Sequence, residues 1–132
     1  MKKKILIVMA NYYEQISYGL LNSTKEGLQE PFDLISVPGV FEIPVTIAKN
    51  IKKYDGFIAL GCIIKGETPH FDFISKAVID GIMKLSIENK KPIGNGIITC
   101  LNLEQALSRK KKGREAAAAL LSVLDPVKTL KE

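Results

Sequence analysis

Phe57-Ile58-Ala59-Leu60-Gly61-Cys62-Ile63-Ile64 runs eight residues without a charge. A strand with one wet face alternates apolar and polar residues. A short unbroken apolar run reads instead as a strand buried on both faces. Burial on both faces needs helices above and below, and the flanking sequence supplies both. Further apolar runs of strand length lie at 5–10, 32–37 and 93–99.

Helical periods fill the gaps between these runs. Ile16, Leu20, Leu21 and Leu28 share one face, and Pro31 stops that helix. Ile43, Ile47, Ala48 and Ile51 form a second stripe, with Pro44 where a first helical turn tolerates it. Ile74, Ala77, Val78, Ile82 and Leu85 form a third. Phe71, Phe73, Ile79 and Met83 fall off that stripe, so the third helix is expected to face both the sheet and a neighbouring subunit. Asn102 and Gln105 read as a capping box opening a fourth helix at Leu103. It is expected to break near Gly113, resume through AAAALLSVL and end before Pro126. Strict alternation of strand and helix predicts an α/β three-layer sandwich: one four-stranded parallel sheet of flavodoxin-like topology, in a single domain over 1–132.

Composition narrows the function classes. The chain has 132 residues, 46% hydrophobic and 25% charged, which is ordinary for a globular domain. No apolar run reaches the roughly 18 residues of a membrane span. Met1-Lys2-Lys3-Lys4 before Ile-Leu-Ile-Val has the charge of a signal peptide, but the apolar run is too short, and a cytoplasmic protein is expected. Cys62 and Cys100 lie in apolar runs and read as two buried reduced thiols. With a single histidine, they offer no zinc-ligand pattern. The net charge of +5 comes from Arg109, Lys110, Lys111, Lys112 and Arg114, since the other basic residues balance the acidic ones. So local a patch suits a phosphate group or a solvated helix end. A nucleic-acid surface spreads its charge and interleaves aromatics.

In open parallel sheets, ligands bind outside the carboxyl ends of the strands. Those ends run into Asn11-Tyr12-Tyr13-Glu14, Pro38-Gly39-Val40-Phe41-Glu42, Lys65-Gly66-Glu67-Thr68-Pro69-His70 and Thr99-Cys100. His70 is the only histidine, and imidazole is the side chain that most readily exchanges protons near neutrality. The Gly66-Glu67-Thr68 turn can aim backbone N–H groups at an anion, helped by the dipole of the helix that follows. Phe41-Glu42 pairs a flat apolar surface with a carboxylate. Both that pair and the basic run also have plain structural readings, as a first-turn acid and a solvated helix end.

Taken together, VPGVFEIP (37–44), IALGCIIKGETPHFDFI (58–74) and the NGIIT…EQAL…R…KG pattern (95–113) resemble the 6,7-dimethyl-8-ribityllumazine synthase family. The likeness covers nearly the whole chain. That family condenses 5-amino-6-ribitylaminouracil with 3,4-dihydroxy-2-butanone 4-phosphate, losing phosphate and water, with no metal or cofactor. The resemblance implies that Tyr12 stacks on the pyrimidine and that Val40, Phe41 and Glu42 contact the ring and ribityl chain. Cys62, Ile63 and Ile64 would line the ring pocket, where Asn95 occupies a further position. Glu67 and Thr68 would hold the butanone phosphate through their backbone. Arg109 would pair with the phosphate, Lys112 would add positive potential, and His70 would move protons. It also implies a pentamer with sites between adjacent subunits, and a functional link to riboflavin synthase. On that pattern Asn95 and Phe41 are expected to serve a different site from the chain's own His70.

Several positions depart from the family pattern. Tyr13 stands where Asn commonly follows the aromatic residue, and Asn95 where Phe or Trp is frequent. A short 109–112 segment and no leading strand favour a free pentamer over a sixty-subunit shell. The same architecture also serves modules that hold flavin mononucleotide or a lumazine without turnover, and fold alone does not separate the two. A signalling receiver domain would need an acidic pocket after the first strand, where Glu14 stands alone.

Overall fold

Ile5–Ala10 form the first strand, β1, and all six residues are buried. The computed structural model describes residues 3–66 and 69–124. From β1 the chain continues through α1 (Glu14–Gly27), β2 (Phe32–Val37), a single 3₁₀ turn (Val40–Glu42) and α2 (Ile43–Asn50). It goes on through β3 (Gly56–Ile64), α3 (His70–Asn89), β4 (Ile93–Cys100), α4 (Leu103–Ser108) and α5 (Lys112–Leu124). The sheet order is β2-β1-β3-β4 and every pairing is parallel. This is the flavodoxin-like sandwich that the alternating pattern predicts.

The central places go to the two strands whose sequences have no polar alternation. Period-two geometry sends successive side chains of β1 to opposite faces. Ile5, Ile7 and Met9 join Ile58 and Leu60 in a core under α1 and α5, with Ile16, Leu20, Ala116, Ala117 and Leu120. Leu6, Val8 and Ala10 join Phe57 and Ala59 in a second core under α2 and α3, with Ile43, Ile47, Val78 and Ile82. Each aliphatic side chain taken fully out of water contributes about 1.5–3 kcal/mol. Because β1 and β3 feed both cores, the fold hangs on these two strands. β4 lets α5 come close, since a methyl group on Gly94 would collide with the Ala116 carbonyl.

Local signals set the helix ends. Asn102 Oδ1 accepts the Gln105 N–H at 2.9 Å, and the Gln105 side chain reaches back to accept the Leu101 N–H at 2.8 Å. That is the capping logic read from the sequence, displaced by one residue on its return arm. Pro44 sits in the first turn of α2, where its missing N–H costs nothing.

The break expected near Gly113 falls at 109–111, and Gly113 itself is the second residue of α5. Gly113 packs against the Leu20 carbonyl and the hydroxyls of Ser23 and Thr24, where any side chain would clash. The glycine permits a helix crossing and breaks nothing. One expectation fails, on α3: Phe71 turns toward the sheet-side core and Ala77 is exposed, the reverse of their predicted faces. Helical periodicity gives relative angles; packing against the sheet sets the helix's rotation. Phe73, Met83 and Ile87 remain exposed, as an outward apolar face requires.

Candidate active site

Strand order reverses between β1 and β3: the chain leaves β1 for β2 on one side and returns to β3 on the other. At such a switch point the flanking loops diverge and leave a crevice. A cleft of about 300 Å³ opens there, lined by Tyr12 and Tyr13 after β1, Val40 and Phe41 after β2, and Cys62, Ile63 and Ile64 at the end of β3. His70, at the first position of α3, completes the wall together with Gly66, Phe71 and Ile74. Its character is apolar and aromatic, with one imidazole at the rim. Tyr12 is 74% exposed, and its ring meets that of Tyr13 edge-on at 4.9 Å. An exposed aromatic at a cleft mouth, braced by a second ring, can stack on a planar ligand.

Glu42 stands just outside. It lines an adjoining groove with Phe41, Pro44, Val45, Ala77 and Val78, between α2 and α3. Its backbone carbonyl accepts the Thr46 hydroxyl at 2.7 Å, so the turn that carries it is tied into α2. Glu67 and Thr68 lie outside the described residues.

The cationic end is elsewhere. Arg109, Lys111 and Lys112 line a second cleft of about 560 Å³ with Asn95, Thr99 and Glu115, at the β4 edge beside α4 and α5. One guanidinium nitrogen, Nη1, donates to the Thr99 carbonyl at 3.2 Å. This fixes the arginine's direction while its other N–H groups stay available to a ligand. Lys112 meets Glu115 at 3.3 Å. Asn95 is committed in part: its Oδ1 accepts the Ile97 N–H at 3.0 Å, closing an outward amide of the edge strand. Its NH2 group is the part of the side chain that this bond leaves as a donor.

Phe41 therefore shares the cleft of its own chain's His70, contrary to the expected division, while Asn95 stands apart with the cations. Tyr13, Lys111 and Glu115 are wall residues that the sequence does not single out as such. Lys111 is visible there only as one charge in a run. Glu115 sits three residues after Lys112, a helical spacing that flags the pair.

Both cysteines are buried, and Cys62 is made a poor nucleophile by its position. Burial, then the neighbouring Cys100, pushes the Cys62 thiol up to about 12. Burial likewise raises the Tyr13 phenol, with smaller contributions from Cys62 and Tyr12. At pH 8 the Cys62 thiolate fraction is on the order of 10⁻⁴, against about a quarter for a free cysteine of pKa ~8.5. Iodoacetamide is therefore expected to label Cys62 of the native protein roughly a thousandfold more slowly than free cysteine, read by mass spectrometry. Rapid stoichiometric labelling would contradict this. An acid raised on folding keeps its proton longer in the native state. The stabilisation from Cys62 is thus intact below pH ~9 and lost as pH rises from there toward 12.

The family model described as 6,7-dimethyl-8-ribityllumazine synthase matches residues 2–128. The chain belongs to the 6,7-dimethyl-8-ribityllumazine synthase family. The lumazine synthase of Agrobacterium fabrum is 41% identical over 144 residues, covering 98% of this chain and 97% of its own. That of Bartonella tribocorum is 43% identical over 137 residues, covering 94% and 91%. These relatives match nearly the whole of this chain, so the residues lining both clefts fall within the region matched by this lumazine synthase family.

Proposed function

We propose that each catalytic centre is built from two neighbouring copies of this chain, one supplying the ring cleft and the other the cationic cleft. The reaction is that of the family: 5-amino-6-ribitylaminouracil and 3,4-dihydroxy-2-butanone 4-phosphate condense to 6,7-dimethyl-8-ribityllumazine, the penultimate step of riboflavin synthesis. The observation that carries the two-copy reading is that the two clefts share no wall residue among the described ones. A condensation needs both substrates in contact, and holding them together supplies much of the rate.

The roles are those that the family resemblance implies, and the residue chemistry suits them. Tyr12 and Phe41 sandwich the pyrimidine, Val40 and Cys62 through Ile64 fill the apolar floor, and Glu42 accepts from ribityl hydroxyls. Arg109 and Lys112 of the neighbouring copy, with the Glu67-Thr68 backbone, hold the phosphate, and Asn95 donates to the ring edge. The substrate amine attacks the ketone and an imine forms with loss of water. Phosphate is then eliminated, and ring closure releases water again. Each step moves a proton, and this reading gives the transfer to His70, supported by its position in the cleft wall.

Exposed Phe41, Val45, Phe73, Met83, Ile87 and Val123 support assembly, because so much apolar surface in water invites association. A closed ring of five satisfies it. No described helix is long and apolar enough to cross a membrane. The reading keeps the protein in the cytoplasm, where its product would pass to a riboflavin synthase. Purified protein with both substrates should generate lumazine fluorescence. Light scattering in dilute solution should give five or ten times the 14.6 kDa chain mass. A stable, active monomer would defeat the two-copy site; a sixty-chain particle would defeat only the ring. Flavin absorbance without turnover would favour a binding module.

A further inference from the structure

Among the described residues, three polar side chains are buried with the core: Ser17, Ser23 and Thr24, all on α1. Two have plain structural uses. Ser17 donates to the Ala10 carbonyl at 2.7 Å and Thr24 to the Leu20 carbonyl one turn back at 2.8 Å. Ser23 differs. Its hydroxyl lies 3.0 Å from its own helix's Leu20 carbonyl but 2.7 Å from the Lys110 carbonyl, 87 residues away. A hydroxyl has one hydrogen, and the shorter contact leads out of the helix.

Lys110 is the middle residue of the three between α4 and α5. The basic run thus crosses α1 at a point where it has left the helical ladder. Other contacts pin the same crossing. Gly113 lies against the Leu20 carbonyl and the Ser23 hydroxyl, and the Lys110 side chain runs over Gly19, where a methyl group would strike it. Arg109 is held to the Thr99 carbonyl. The outcome is selective: Lys110 is turned onto α1, while Arg109, Lys111 and Lys112 line the cationic cleft. A flexible turn of four cations would scatter its charges, and this one sorts them.

We infer that Ser23 is the positioning residue of the anion-binding turn: its hydroxyl, through the Lys110 carbonyl, sets the direction of Arg109, Lys111 and Lys112 toward a phosphate. The inference rests on reading that cleft as the phosphate end of the site. Ser23 touches no substrate and acts only through the turn. Removing it leaves a half-buried carbonyl unpaired and lets the turn rotate, so phosphate affinity falls while proton transfer at the ring cleft is unaffected.

The test compares Ser23→Ala with Thr24→Val and Arg109→Ala in the assembled enzyme. Thr24→Val deletes a hydroxyl whose bond stays inside α1 and keeps the volume against Gly113. Ser23→Ala should raise KM for the butanone phosphate roughly fivefold, the effect of one lost hydrogen bond, with kcat and the pyrimidine KM changed less than about twofold. Thr24→Val should leave both Michaelis constants near wild type. As a readout independent of turnover, inorganic phosphate should raise the melting temperature of wild type and Thr24→Val more than that of Ser23→Ala. If Arg109→Ala leaves the butanone phosphate KM unchanged, the phosphate reading falls and the inference with it. If Arg109→Ala raises that KM and Ser23→Ala does not, or Ser23→Ala moves both Michaelis constants equally, only the positioning role is overturned.

Discussion

Alanine at position 70 is expected to slow lumazine formation about a hundredfold while leaving the fold intact. His70 is the first residue of α3 and is exposed, so its truncation opens no cavity in the core. Circular dichroism and melting temperature should be unchanged. The loss should fall on kcat, since imidazole carries protons in the transition states and adds little to ground-state binding. General acid–base groups contribute about 10²–10⁴-fold. The lower figure applies because phosphate elimination needs a good leaving group more than a strong acid, and because the two-substrate alignment survives. His70→Ala would therefore remain an enzyme. Unchanged turnover across the pH range would remove His70 from the mechanism.

Arg109→Ala should raise KM for the phosphorylated substrate by about ten- to a hundredfold and the pyrimidine KM by little. A hydrogen bond to a charged group is worth about 1.5–3 kcal/mol, and a guanidinium can make two to one phosphate. The Thr99 contact orients the arginine before substrate arrives, so little ordering cost offsets that gain. Arg109→Lys should recover only part of the loss, because an ammonium keeps the charge and loses the fork. Steady-state kinetics with each substrate varied in turn separates the two constants. An equal rise in both, or none, would return 109–112 to a solvated charge run.

Both expectations use residues that stand out in the amino-acid order. Their grouping stands out less. His70 is marked by being the only histidine and by its place after Gly66 and Pro69; Arg109 is marked only by its run and by the family pattern. Nothing in the run distinguishes Lys110, which packs on α1, from Lys111, which lines the cleft. All four cations share one local sequence environment. Their fates are decided on α1, where Ser23 takes the Lys110 carbonyl and Gly19 makes room for the Lys110 side chain, contacts made only once the chain has returned to that helix.

The layers of this protein follow from its residue pattern. Unbroken apolarity in 57–64 demands burial on both faces, and alternation with helical periods leaves a parallel sheet as the arrangement that covers them. Strand positions and the capping of α4 depend on contacts within a few residues, so a few residues suffice to read them. Which helix faces turn inward, as with Phe71 and Ala77, is settled only by packing. Packing also seats Gly113 just inside α5, beside the break that the local pattern marks, and parts the aromatic wall residues from the cations into two clefts. These outcomes depend on how elements far apart in the chain settle against each other, where one carbonyl's approach outweighs local propensity. Local chemistry names the groups, and packing decides which of them face the same space.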